Sequence, residues 1–72
     1  MRSFYQYMMR YRGAKKITNE SRLAEWMFHE HDFPKHSSSY DEIGRYLEWN
    51  IPFTEAAQVF DHLWDEYQED VK

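Results

Sequence analysis

The sequence predicts an all-α fold, a small bundle of four main helices, and three observations point to it. From Ala56 to Tyr67 the apolar residues fall at 56, 59, 60, 63, 64 and 67, an alternation of threes and fours that places them on one helix face. Val71 follows one turn further on. The chain has only two glycines and two prolines, too few turn residues for strands and hairpins. A serine or threonine (Ser3, Thr18, Ser39, Thr54) precedes each apolar-periodic run, where its side-chain oxygen can take up the free N–H groups of a helix start.

In chain order, residues 3–11 form the first helix, with Phe4, Met8 and Tyr11 on one face and Tyr5 and Met9 adjoining. Gly13 supplies the left-handed residue that ends it. So short a helix is unstable alone and must dock on the rest. The basic connector 14–18 leads to a second helix, Asn19 to His31, whose inner face is Leu23, Ala24, Met27 and Phe28. Trp26 falls off that face, at the core edge or outside it. Phe33-Pro34 closes the segment, because the residue before proline is pushed out of the helical region. Ser39 and Glu42 have the spacing of a capping box at the head of a third helix, Tyr40 to Trp49. Its inner face is Tyr40, Ile43 and Leu47, with Tyr46 flanking. Gly44 costs that helix roughly 1 kcal/mol relative to alanine, and close approach of another helix would account for it. Ile51-Pro52-Phe53 is an apolar turn, and Thr54 caps the last helix, 55–69. In this helix Phe60, Leu63 and Trp64 point inward, and the earlier helices close over them.

Three stretches, SFYQYMMRYRG at 3–13, HDFPKHSSSYDEIGRYLE at 31–48 and VFDHLWDEY at 59–67, resemble the YozE family, small bacterial proteins of uncharacterised function. They occur in the same order and at similar spacing over nearly the whole chain. The resemblance implies a fold like the sterile alpha motif, with a further short helical turn near 34–37 or 51–54. It implies no activity and transfers no catalytic or ligand residue. Sterile alpha motif domains elsewhere mediate protein association, and some bind RNA or DNA; for this chain either role is fold-level analogy.

Seventy-two residues make one domain, 1–72, that buries only about 60% of its unfolded surface. There is no cysteine to staple it, and 14 aromatic residues (3 Trp, 6 Tyr, 5 Phe) supply the apolar area instead. The lack of cysteine fits a reducing compartment. No run reaches the about 18 apolar residues of a membrane span, and the N-terminus lacks the apolar block of a secretory signal. The expected location is the cytoplasm.

Net charge is -4, which disfavours general nucleic-acid affinity, but the charge is unevenly placed. Residues 1–22 carry six bases against Glu20, a net +5, and residues 23–72 carry three bases against twelve acids, a net -9. Mutual attraction within one small fold accounts for this asymmetry. It would also let opposite ends of two copies meet head to tail.

The histidines and acids at 29–32 and 36 are metal-ligand types. His29 and His31 are two residues apart, however, and so about 200° apart around a helix. They read as a polar helix end rather than a metal site. Ser37, Ser38 and Ser39 lie near His36 in sequence, which does not make a triad, and neither glycine belongs to a phosphate-cradling loop. The acids Asp61, Asp65, Glu66, Glu69 and Asp70 read as a solvated helix face. No enzyme, metal or cofactor is therefore expected.

Two binding expectations follow. The first is protein contact through Trp26, Tyr46 and Trp49, which lie at or beyond the predicted core faces. The second is nucleic-acid contact through Arg2, Arg10, Arg12, Lys15, Lys16 and Arg22, with Tyr5 and Tyr7 as stacking rings. In that second case the same rings could instead be core and the cations merely solvated.

Overall fold

A computed structural model describes residues 2–70; Val71, expected on the last helix, lies outside them. Among the described residues there are four α-helices and no strand: α1 (Phe4–Met8), continued by a 3₁₀ turn at Met9–Tyr11, α2 (Asn19–His29), α3 (Tyr40–Trp49) and α4 (Ala56–Asp70). The turns at 34–37 and 53–56 are single bends, closed by Ser37 N–H to the Pro34 carbonyl at 3.2 Å and Ala56 N–H to the Phe53 carbonyl at 3.1 Å.

The helix starts follow local chemistry. Ser3 and Gln6 form a full capping box, as do Thr18 and Ser21. At α3 only half of the expected box is made. Ser39 Oγ accepts from Glu42 N–H at 3.2 Å, but the Ser39 N–H donates to Ser37 Oγ at 3.0 Å rather than to Glu42. The preceding serine is closer at hand and leaves Glu42 in solvent. Gly13 takes the left-handed conformation, φ +75°. The last helix starts one residue later than a Thr54 cap would place it, with Val59 N–H on the Glu55 carbonyl.

α2 stops at His29, two residues short of the expected end, and Glu30 is extended. The early stop swings Phe33 into the core, where it meets Tyr5, Trp26 and Tyr46 edge-on or tilted at centroid distances of 6.1, 6.1 and 5.4 Å. The Phe-Pro pair is thus a core element as well as a helix stop.

α4 is the spine. Ala56, Val59, Phe60, Leu63 and Tyr67 are buried along one face, and Trp64 packs half-buried beside them. Phe4 of α1 is fully buried against them. Its ring meets Phe60 at 5.4 Å and Tyr67 at 5.5 Å, both edge-on, and Trp64 at 5.3 Å, geometries that aromatic quadrupoles favour. Backbone bonds finish the docking of this short helix: Phe4 N–H reaches the Ser37 carbonyl at 3.3 Å, and Ser3 Oγ donates to the Lys35 carbonyl at 2.8 Å. The Tyr67 hydroxyl donates to the Arg2 carbonyl at 2.7 Å and shares a 3.1 Å bond with Ser38. A buried phenol with its hydrogen bonds made adds to stability; one left without them would subtract from it.

Two face assignments need correction. Phe28, expected inside, is 41% exposed. It sits one residue before the end of α2, and the Arg12 guanidinium lies 3.4 Å over its ring instead. Tyr40, the first residue of α3, is 45% exposed, with only the small serines 37–39 before it in the chain. Its ring still stacks on Phe60 at 5.1 Å, and its hydroxyl donates to Asp61. Of the two readings open for Tyr7, stacking ring or core, the core one holds: it is buried against Tyr67 at 5.5 Å. At Gly44 a Cβ would meet only the Phe60 ring edge at 3.7 Å, an ordinary contact, so the α3–α4 approach does not require glycine.

Candidate interaction surface

The three residues expected to make protein contacts separate into two kinds. Trp26 and Tyr46 face each other at 5.9 Å and, with Phe33, close the edge of the core. Trp49 is 86% exposed at the last position of α3, and Ile51 is 67% exposed two residues on. The end of α3 and the connector that follows, Asn50 to Glu55, therefore hold two large apolar groups in solvent, Trp49 and Ile51, while Phe53 of the connector is half-buried. Three grooves meet around it. One, of about 550 Å³, runs from Tyr46 and Trp49 to Asp32 and Pro34. The second, of about 490 Å³, lies between α3 and α4, with Ile51, Leu47 and Phe60 as apolar walls. The third, of about 380 Å³, is walled by Ile17, Trp26, Pro52 and Phe53.

The sequence reading missed Ile17, which is 84% exposed. It stands in a basic connector with no apolar periodicity, and an unaccompanied isoleucine in such a segment was the available signal. Ile51 was visible only as part of an apolar turn.

Electrostatics differ between the two halves of the surface. Asp41, Glu48 and Asp61 line the α3–α4 groove against Arg45 alone. Asp32, Asp41 and Glu42 line the Trp49 groove with the same arginine. The outer side of α3 is therefore acidic and aromatic.

The six basic candidates are distributed differently. Arg2 and Arg10 converge on Asp70 of α4, at 3.8 and 3.3 Å, and Arg10 also lies 4.1 Å over the Tyr7 ring. Arg12 pairs with Glu25 at 3.4 Å. Arg22 bonds Asn19 at 3.4 Å and lies 4.3 Å over Phe53. Lys15 and Lys16 are exposed. Several acids read as a solvated face thus serve the fold: Asp70 holds the N-terminal arginines, Asp61 accepts from Tyr40, and Glu66 accepts from Tyr11 at 3.4 Å. Such exposed pairs are individually weak.

Among the described residues no three His, Asp or Glu side chains gather where they could hold a metal ion. His29 instead lies 3.8 Å from Glu25. The serine run is structural: Ser37 bonds the Ser39 N–H, Ser38 bonds Tyr67 and Ser39 caps α3. Among the described residues no helix is long and apolar enough to cross a membrane.

Three phenols titrate above the ordinary tyrosine range. Burial raises Tyr46 to about 12, assisted by its 2.7 Å bond to Glu30. Burial and the Tyr7 hydroxyl raise Tyr11, and the Asp61 bond raises Tyr40. For Tyr46 the folded value lies above the unfolded value of about 10. The folded state therefore binds the proton more tightly, and the resulting stability is present below about pH 10 and lost as pH rises toward 12. Urea midpoints should accordingly fall across that window, and less steeply in Tyr46→Phe; a midpoint flat across it in the native chain contradicts this.

A small all-helical chain of sterile alpha motif-like fold, marked by exposed rings and open grooves, is the class these features define. The chain belongs to the YozE SAM-like fold family, whose profile matches residues 3–69. It is 39% identical to the UPF0346 protein YozE of Bacillus subtilis over 99% of this chain and 96% of that protein. A UPF0346 protein of Oceanobacillus iheyensis is 57% identical over 65% of this chain and 63% of its own length. A UPF0346 protein of Listeria monocytogenes is 38% identical over 92% and 86%. No solved structure matches.

Proposed function

We infer that this chain is a non-enzymatic, single-domain, cytoplasmic protein-interaction module whose contact surface centres on Trp49 and Ile51. The observation that carries the reading is the exposure of these two residues, 86% and 67%, one at the end of α3 and the other on the connector after it. Scattered apolar residues are normal on surfaces, but large side chains beside open grooves are what contact surfaces use. The acidic outer side of α3 disfavours nucleic acid there. Among the six basic candidates, the four arginines already have acidic, polar or aromatic neighbours.

The test is a photo-crosslinking residue at Asn50, between the two side chains, compared with one at Gln58 on the solvent face of α4. We expect a protein adduct at position 50 that disappears in Trp49→Ala/Ile51→Ser, and none at position 58. Equal labelling at both positions, or an adduct indifferent to the double substitution, overturns the reading.

A further inference from the structure

We propose that the partner of this surface is a second copy of the chain, joined in a two-fold dimer around the Ile51–Pro52–Phe53 connector; this rests on the interaction reading above. The connector separates two complementary features. On one side Ile17 projects, 84% exposed, directly after the exposed Lys15 and Lys16. On the other side lies the α3–α4 groove, with Ile51 and Phe60 as apolar walls and Asp41 and Glu48 on the rim.

Ile17 shares a groove with Pro52 and Phe53, and Ile51 belongs to the neighbouring one. Projection and groove are therefore linked through consecutive residues of the connector, Ile51 and Pro52. In a two-fold dimer, whatever residue i meets in the partner, the partner's equivalent meets in return. A single axis at the connector then seats each Ile17 in the other copy's groove and each lysine pair against the other copy's acids. The contact closes on itself, so it yields dimers and not filaments. It also covers Ile51, which the fold leaves outside. The charge asymmetry legible in the sequence thereby acquires an intermolecular use: the lysines that face no acid of their own connector face Asp41 and Glu48 of the second copy. Because the charged groups are exposed, the association should weaken as salt rises.

The test is sedimentation of the full chain from micromolar to millimolar concentration, at low and high salt. The native chain should pass from monomer to dimer. Lys15→Glu/Lys16→Glu should weaken dimerisation by at least about tenfold, as should Asp41→Lys/Glu48→Lys. An equimolar mixture of the two variants should recover a heterodimer, because every reversed charge then meets its opposite. Ile17→Asp, which leaves the groove untouched, should be monomeric with unchanged helical circular dichroism; it keeps the test decisive if the groove variant unfolds. A native chain monomeric throughout, a dimer that survives Ile17→Asp, or a mixture of folded swap variants that fails to associate overturns the proposal. The Asn50 adduct separates the two readings: a mass of twice the chain supports this partner, and any other protein mass retains the contact surface while excluding the second copy.

Discussion

Phe4→Ala should remove about 3–5 kcal/mol of stability, the usual cost of emptying a buried aromatic site. The expected total for a chain of 72 residues is only roughly 4–11 kcal/mol. Phe4 is fully buried and meets Tyr7, Phe60, Trp64 and Tyr67. It belongs to a helix of five residues that has no stability of its own. Its loss should therefore release α1 along with the ring cavity, and with α1 the bonds from Ser3 to Lys35 and from Tyr67 to Arg2. Urea unfolding followed by far-ultraviolet circular dichroism should show a greatly lowered midpoint or no folded baseline. A loss below about 1 kcal/mol, the scale of a modest surface change, would mean that the N-terminal helix is ornamental to the core.

Phe60→Ala should cost about as much, again about 3–5 kcal/mol, by a different route. Phe60 is the ring on which both Phe4 and Tyr40 rest, at 5.4 and 5.1 Å, and it walls the groove between α3 and α4. Its removal unseats α3 from α4, whereas removal of Phe4 unseats α1. Phe4 and Phe60 touch, so their effects should not add. The double variant should lose less than the two single costs combined, with a coupling of about 0.5–3 kcal/mol. Strict additivity in the urea midpoints would contradict the edge-on contact.

How much was legible follows from where each residue draws its environment. Most of α3 and α4 could be read because each buries a single stripe (Ile43 and Leu47; Ala56, Val59, Phe60, Leu63 and Tyr67), so helical periodicity reports burial directly. The caps at Ser3, Thr18 and Ser39 could be read because they depend on residues within three positions. Tyr7 could have been: Phe4, Tyr7 and Met8 stand at i, i+3 and i+4 and are buried as one stripe, but with Tyr5 and Met9 set beside Phe4 and Met8 instead, Tyr7 was left off the inner face. Phe33 could not because its burial depends on Tyr5, Trp26 and Tyr46, all distant in sequence. On the candidate surface, Trp49 was legible as a ring beyond the α3 stripe, and Trp26 and Tyr46 were legible as edge residues. Ile17 was not, since a non-periodic connector offers no face from which to judge it. The charge asymmetry was plain from composition; that Asp70 would gather Arg2 and Arg10 was not, because ion pairing depends on the closed fold.

The rings facing α4 hold the fold, and the proposed contact surface has Trp49 at its centre. Urea unfolding of Trp49→Ala tests this most directly. We expect the unfolding free energy to match that of the native chain within about 0.5 kcal/mol, as for a surface change without structural consequence. A loss of about 2 kcal/mol or more would give Trp49 a structural task and take away the reason to place a contact surface there.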